Sequence, residues 1–141
     1  MRLYRPQCLG CRNNNFGNIK AANFRWLGQE KTASESKFCV FKDYKYGIRA
    51  LYKLLCTYVS KYHLDTPAGI IRRYAPPSEN ATSAYMRYVD DRVSFDYVNT
   101  DGLSILQLMS AICMYESMVE ISPSEIADIL IEFGLWTVKV S

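Results

Sequence analysis

Apolar positions recur at helical spacing through most of the chain after Asp43. Over residues 44–62, Ile48, Leu51, Leu55 and Val59 fall on one stripe of a helix, while charged residues occupy the opposite side. The same periodicity returns over residues 102–118. The pattern therefore predicts a long amphipathic helix in each of these two segments.

Short local signals mark the starts and ends of three further helices. Thr66 followed by Pro67 predicts a helix that begins there and ends near Tyr74, because threonine caps a helix and proline suits its first position. A third helix is expected to open at residues 78–80 and to reach about residue 93. Ser122 and Pro123 start the last helix, which runs to residue 133.

The N-terminal part has a different character. Residues 11–20 are rich in asparagine and glycine, which favours a loop over a helix. Phe38, Val40 and Phe41 predict a short strand, with Ile19 in a partner strand of a small hairpin. The expected class is therefore α+β, predominantly α, with about five helices and a small N-terminal β/loop region in one domain over residues 1–141.

Composition narrows the classes of function. The chain has 141 residues, of which 49% are hydrophobic and 22% charged, as in ordinary globular proteins. Its net charge of +3, without a long basic run, argues against nucleic-acid binding. No apolar run is long enough to cross a membrane, and residues 1–10 lack the apolar core of a secretory signal. We expect synthesis in the bacterial cytoplasm and delivery by other means.

The sequence gives little support for a metal site, a cofactor site or a nucleophilic active site. Of the five cysteines only Cys8 and Cys11 have metal-ligand spacing, whereas a zinc site needs about four ligands. We therefore expect reduced thiols and no metal. There is no glycine-rich phosphate loop and no expected cofactor. His63 is the single histidine, is expected at a helix end, and leaves serine or cysteine hydrolysis without a good base.

Glu116 is the first candidate for acid chemistry. It follows Ile112 by four residues and Met109 by seven, so it continues the apolar stripe of its helix. A carboxylate against apolar neighbours has a raised pKa, which is what a general acid for a glycosidic oxygen needs. The alternative is that the stripe ends one turn earlier and Glu116 lies on the rim.

The other candidates are residue types that suit a sugar-binding cleft, although each also has a purely structural explanation. Glu79, expected at a helix N-terminus, is either an acidic group of the cleft or a partner of the helix dipole. Amides in the loop either bind sugar hydroxyls or close turns. Aromatic rings either stack on sugars or belong to the core. The candidates for sugar binding are Asn13, Asn14, Asn15, Asn18, Trp26, Tyr74 and Tyr85.

Two segments carry a family resemblance. The first runs from Gly10 to Ile19, and the second from Ile70 to Asn80 with its Ala-Pro-Pro-Ser-Glu-Asn ending. The chain resembles phage and prophage proteins that open with G-x-R-N-N-N-P-G-N-I, described as virion structural or lysozyme-like proteins. Phe16 replaces the usual proline. The resemblance covers roughly residues 10–89 and implies a lysozyme-like fold.

Broader similarity extends to enzymes of the lysozyme superfamily. Residues 14–20 look like the N-N-L-F-G-I-K segment of bacterial glucosaminidases, and residues 79–89 are similar to the E-T-x-x-Y-V-x-x-V segment of lytic transglycosylases. Those enzymes carry a catalytic glutamate on a helix before the asparagine loop, where this chain has little sequence. Residues 108–117, ending in Glu116-Ser117, look like that helix, which implies a circular permutation.

The resemblance favours an enzyme that cuts the glycan strands of peptidoglycan, as a muramidase or lytic transglycosylase, with Glu116 as general acid and base. Glu79 would be the second carboxylate if both lie across one cleft. The alternatives are a non-catalytic virion or secretion-associated module that binds glycan, and an inhibitor or immunity-type interaction protein. Expected partners are glycan strands and phage or secretion-machine proteins, with action at the cell wall or in the virion.

Overall fold

The computed structural model describes residues 8–137, and that part of the chain forms six helices and one small antiparallel sheet. The elements are α1 (Leu9–Arg12), β1 (Gln29–Lys31), β2 (Val40–Phe41), α2 (Tyr44–Tyr62), α3 (Pro67–Tyr74), α4 (Thr82–Asp90), α5 (Leu103–Ser117) and α6 (Pro123–Glu132). The predominantly α class with a small β region is confirmed. The helix beyond the predicted five is α1, a single turn that overlaps the start of the segment expected to be loop.

Helix α5 lies at the centre of the packing and contacts α1, α2, α4 and α6. A helix that is apolar around its whole circumference is typically buried. The buried positions of α5 accordingly occupy more than one face: Ile105, Leu106, Leu108, Met109, Ala111, Ile112, Cys113 and Ser117. The last turn of this central helix carries Glu116, so the packing of α5 fixes where that carboxylate lies.

The predicted starts of three helices are confirmed by their caps. The Asp43 carboxylate accepts a hydrogen bond from the Lys45 amide at the start of α2. The side chain of Thr66 accepts from Gly69 at the start of α3, and that of Ser122 from Glu125 at the start of α6. At the other end of α2, His63 adopts a left-handed conformation and closes the helix, as its predicted position requires.

The predicted bounds of α4 are wrong at both ends, because the helix covers Thr82–Asp90 rather than residues 78–93. After the two prolines the chain makes a turn, in which the Glu79 amide donates to the Pro76 carbonyl. The hydroxyl of Thr82 then donates to the Ala75 carbonyl, which fixes the start of the helix behind that turn. Glu79 therefore does not lie at a helix N-terminus.

The predicted hairpin has a different partner strand. Residues Val40–Phe41 pair with Gln29–Lys31, and not with a strand around Ile19. The segment at Ile19 makes a single antiparallel bridge, Lys20 with Phe38, beside a hydrogen bond from the Cys39 amide to the Ile19 carbonyl. Because the loop between these segments folds back, the N-terminal residues lie against β2 without forming a full strand.

Gly47 brings this N-terminal loop close to helix α2. A Cβ at Gly47 would lie 2.3 Å from the backbone oxygen of Asn14, closer than packed atoms can approach. Glycine is thus required by the close approach of backbone to helix. This contact sets the position of residues 14–18 relative to the helical core.

Candidate functional site

A pocket of about 450 Å³ opens between the N-terminal loop, α3, the turn before α4 and the last turn of α5. Five of the residues chosen from the sequence line it: Asn18, Trp26, Tyr74, Glu79 and Glu116. The loop and the end of α5 lie about a hundred residues apart in sequence, and the fold brings them together at this pocket.

Glu116 lies in the last turn of α5, half-buried in the pocket wall. Burial raises the pKa of Glu116 above its ordinary value of 4.5. Hydrogen bonding from Asn18, the nearby Tyr85 hydroxyl and the positive charge of Lys20 all act in the opposite direction, but burial outweighs them. Burial thereby makes Glu116 easier to protonate than a solvent-exposed glutamate, at a place that lines the pocket.

Asn18 is the direct partner of this carboxylate. Its side-chain amide donates to Oε1 of Glu116 at 3.2 Å and to the Glu116 backbone carbonyl at 3.1 Å. The backbone of Asn18 is left-handed, with φ of 51°, which asparagine tolerates better than most residues. Its Oδ1 is buried and has no hydrogen-bond partner among residues 8–137. Asn18 therefore orients the acid and also presents an unused acceptor.

Ser117 fastens the loop to the end of α5 one residue after the acid. Its hydroxyl donates to the Phe16 carbonyl at 2.7 Å, and its own carbonyl accepts from the Cys8 thiol at 3.3 Å. A Cβ at Gly10 would lie 1.9 Å from the Ser117 hydroxyl oxygen, so α1 packs directly on this turn. These contacts hold Glu116 and Asn18 in a fixed relation.

Tyr85 does not offer a stacking surface, which corrects its expected role. Its side chain is 1% exposed and its ring stacks on Tyr115, with 3.8 Å between centroids. The buried hydroxyl makes no hydrogen bond of ordinary geometry within the described chain. It nevertheless lies close enough to Glu116 to lower the pKa of that carboxyl. Tyr85 thus lowers the pKa of Glu116 from a buried position, where its ring cannot stack on a sugar.

Tyr74 is a partly exposed wall of the pocket whose hydroxyl is already engaged. That hydroxyl donates to the Gly17 carbonyl, which ties α3 to the N-terminal loop. Burial and the nearby charge of Glu116 raise the pKa of Tyr74 well above its usual range. The exposed part of the Tyr74 ring is therefore the surface that a ligand can contact.

The amides of Asn13, Asn14 and Asn15 do not line the pocket, contrary to the expectation of sugar binding. Asn15 is fully buried; its amide donates to the carbonyls of Ile19 and Cys39, and its Oδ1 accepts from the Ile19 amide. Asn14 donates to the Phe41 carbonyl. Asn13 caps α1, and its carbonyl accepts from the Phe41 amide. These residues close the loop and hold it on β2.

Glu79 forms an exposed ion pair with Lys20 across the pocket rim. The hydrogen bond and charge of Lys20 lower the pKa of Glu79, while Lys20 also lowers the pKa of Glu116. The pKa values of the two carboxyl groups in the pocket are therefore shifted in opposite directions, that of Glu79 downward and that of Glu116 upward.

Trp26 is half-buried in the pocket wall, with Phe24 edge-on at 5.0 Å between ring centroids. Phe24 is 52% exposed and was not chosen from the sequence, nor were the other lining residues Phe38, Lys37 and Arg73. All lie in irregular segments or on a helix flank without a periodic pattern. A cluster of aromatic and basic residues between positions 20 and 38 is the one signal that sequence offered.

No group of three or more histidine, cysteine, aspartate or glutamate side chains lies together within residues 8–137. None of the helices described here has the length and apolar character to cross a bilayer.

Comparison with known proteins gives one informative similarity. No model of a known protein family matches the chain. Over 86 residues the chain is 40% identical to protein P5 of Pseudoalteromonas phage PM2. The match covers 59% of this chain and 54% of the phage protein, so the chain spans about half the length of that relative. The similarity supports the expected link to phage proteins, and the relative's name states no activity.

Proposed function

We propose that this protein cleaves the β-1,4 glycosidic bond between the amino sugars of peptidoglycan, with Glu116 as general acid and base. The observation that carries the proposal is the half-buried Glu116, with its raised pKa, in a pocket together with Asn18. An acid of this kind can hold a proton near neutral pH and give it to a leaving oxygen.

The chemistry needs one carboxyl group if the sugar supplies its own nucleophile. Glu116 first gives its proton to the glycosidic oxygen as the bond from C1 to that oxygen breaks. The ionised Glu116 then takes the proton of the C6 hydroxyl, whose oxygen bonds to C1 and closes an anhydro ring. Asn18 steadies the carboxylate in both states, because its amide donates to Oε1.

A hydrolytic route needs a second carboxylate to direct water. Glu79 lines the same pocket and its lowered pKa keeps it ionised. However, its charge is already compensated by Lys20. This pairing favours the internal nucleophile, and it makes the anhydro sugar the expected product.

The fold proposed for this site is lysozyme-like and circularly permuted. Support comes from α5, an apolar helix that ends in Glu116-Ser117 and meets the asparagine loop through three hydrogen bonds. In the enzymes that the chain resembles, the glutamate helix precedes that loop, whereas here it follows. Because the chain is similar to a phage protein, we propose that a virion delivers it to the cell wall.

A second candidate is a virion module that binds wall glycan without cutting it. The similarity to a phage protein favours this candidate, because virions contain non-catalytic structural modules. Such a module would bind glycan in the same pocket, against its aromatic wall. This candidate predicts binding without release of soluble fragments.

The deciding experiment incubates purified peptidoglycan with the wild-type protein, the Glu116→Gln variant and a Glu120→Gln control, whose carboxylate is exposed outside the pocket. We expect wild type and control to release fragments, and Glu116→Gln to release none while it remains folded. Mass analysis should show anhydro ends, also with Glu79→Gln. Full activity of Glu116→Gln refutes the proposal, and binding without release by wild type establishes the second candidate.

A further inference from the structure

The pocket holds more positive charge than its own acids balance. Lys20 and Glu79 form an ion pair at the rim and cancel each other. Lys37 and Arg73 also line the pocket, and neither forms an ion pair within residues 8–137. The pocket is thus lined by three cations and two carboxylates, so it carries an excess of positive charge.

Both cations lie against aromatic rings. The guanidinium carbon of Arg73 lies 3.6 Å from the centroid of the Tyr62 ring and 5.4 Å from that of Tyr58. The Lys37 ammonium lies 5.5 Å from the Phe38 ring centroid. Stacking on a ring occupies the face of a guanidinium and not its N–H groups, so Arg73 keeps donors that can bind a carboxylate in a bidentate way.

Neither Lys37 nor Arg73 is among the groups that shift the pKa of Glu116. The cation that lowers the pKa of Glu116 is Lys20, and Lys37 acts instead on Glu79. Lys37 and Arg73 are both exposed, so a ligand can reach them without displacing a protein partner. A neutral sugar chain would gain little from two unpaired cations beside the bond to be cut.

We propose that the pocket selects an acidic glycan, whose carboxylates are bound by Lys37 and Arg73 in the same pocket in which Glu116 protonates the glycosidic oxygen. This inference rests on the proposed function and names the substrate class within it. In peptidoglycan the carboxylates belong either to the lactyl groups or to the peptide stems. Charge attraction of this kind weakens with ionic strength, because salt screens exposed charges.

The test measures equilibrium binding to the Glu116→Gln protein, which keeps the pocket without turnover. The ligands are soluble peptidoglycan strands, the same strands with carboxylates converted to methyl amides, strands stripped of peptides, and a neutral chitin oligosaccharide of equal length. We expect the acidic strands to bind most tightly, with an affinity that falls as salt is added. Stripped strands identify lactyl binding if they retain the affinity, and peptide binding if they lose it.

Two pairs of variants test the residues. Arg73→Gln and Lys37→Gln should each weaken binding of acidic strands by about threefold to tenfold and leave chitin unaffected, since exposed ion pairs contribute modestly. The matched controls are Arg72→Gln, on the same helix but outside the pocket, and Lys42→Gln, which stacks on Tyr46 in a similar way. Neither control should change the preference.

The outcomes separate this inference from the proposed function. If wild type cuts amidated and untreated strands equally well and the variants bind them alike, the acidic preference is wrong and the cleavage stands. If acidic strands bind preferentially but wild type cuts none, the preference stands and the cleavage fails. Absence of both binding and cutting refutes both.

Discussion

Asn18 and Glu116 are 98 residues apart in sequence and share two hydrogen bonds through one amide group. The bond to the backbone carbonyl satisfies an acceptor in the last turn of α5, where helices leave carbonyls without partners. The bond to Oε1 acts on the carboxylate itself. The Asn18 side chain therefore both caps the end of α5 and lowers the pKa of Glu116.

Replacing Asn18 by glycine should raise the pKa of Glu116. The variant loses a donor that favours the charged carboxylate, while glycine accepts the left-handed backbone at this position. We expect the alkaline limb of the pH–activity profile to move to higher pH, and the maximal rate to fall because the carboxyl group loses its orientation. A carbon-detected NMR titration of Glu116 measures the pKa directly.

Asn14→Gly is the matched control for that variant. Asn14 has a left-handed φ of 53°, and its amide also donates to a carbonyl, that of Phe41, away from the acid. Both variants lose one amide side chain at the same kind of backbone position. Equal titration curves for Glu116 in the two proteins would contradict the assigned role of Asn18.

Glu116→Gln should make the folded protein more stable at neutral pH. The pKa of Glu116 is raised in the folded state, so this state binds the proton more tightly than the unfolded chain does. The penalty of ionising Glu116 is absent below its ordinary value of 4.5 and grows as the pH rises through the raised pKa. Glutamine carries no such penalty and can still accept from Asn18.

Chemical unfolding of wild type and Glu116→Gln over a range of pH checks this prediction. The difference in free energy of unfolding should increase with pH and vanish in acid. Glu120→Gln, whose side chain is exposed, should show no such trend. A constant difference at all pH values would mean that burial does not disfavour the charged form of Glu116.

Tyr85→Phe should leave stability nearly unchanged while raising the pKa of Glu116. The hydroxyl is buried without a partner of ordinary geometry, so its removal sacrifices no complete hydrogen bond, and the stacking on Tyr115 persists. We expect a change in free energy of unfolding within about 1 kcal/mol. Tyr74→Phe, in contrast, loses the bond to Gly17 and should destabilise by about 1 kcal/mol. Thermal and urea unfolding of the pair provide the comparison.

Gly47→Ala should destabilise the protein despite the better helix propensity of alanine. The new methyl group would lie 2.3 Å from the Asn14 carbonyl oxygen, so the loop must move. Overpacking of this kind costs about 1–3 kcal/mol, against a propensity gain of about 1 kcal/mol. Lys53→Ala, on the exposed side of α2, serves as control and should be close to neutral in urea unfolding. A more stable Gly47→Ala protein would show that the loop gives way freely.

Local signals predicted much of this fold because they depend on nearby backbone groups. Thr66 and Ser122 cap the amides three residues further on, as their sequences indicate. The start of α4 could not be read in this way, because the contact that fixes it joins Thr82 to Ala75 across the turn. Sequence periodicity left open whether Glu116 continues the buried stripe or lies on its rim, and the structure puts it half-buried at the end of that stripe.

The polar side of the candidate site was only partly predictable. Asn15 and Asn18 belong to the same short run and look equivalent in sequence. Their roles differ because Asn15 is turned into the structure against Cys39, whereas Asn18 reaches a helix from the other half of the chain. Likewise Lys37 and Arg73 meet at the pocket through the path of the loop, which no local pattern encodes.

The hydrogen bond between Ser117 and Phe16 has a consequence for synthesis on the ribosome. The loop is synthesised before α5. Until α5 has been translated, the Phe16 carbonyl and the Asn18 amide lack their partners Ser117 and Glu116. A nascent or truncated chain that stops before Glu116 thus carries the receiving loop without the acid. The pocket is therefore complete only in chains that extend past Glu116.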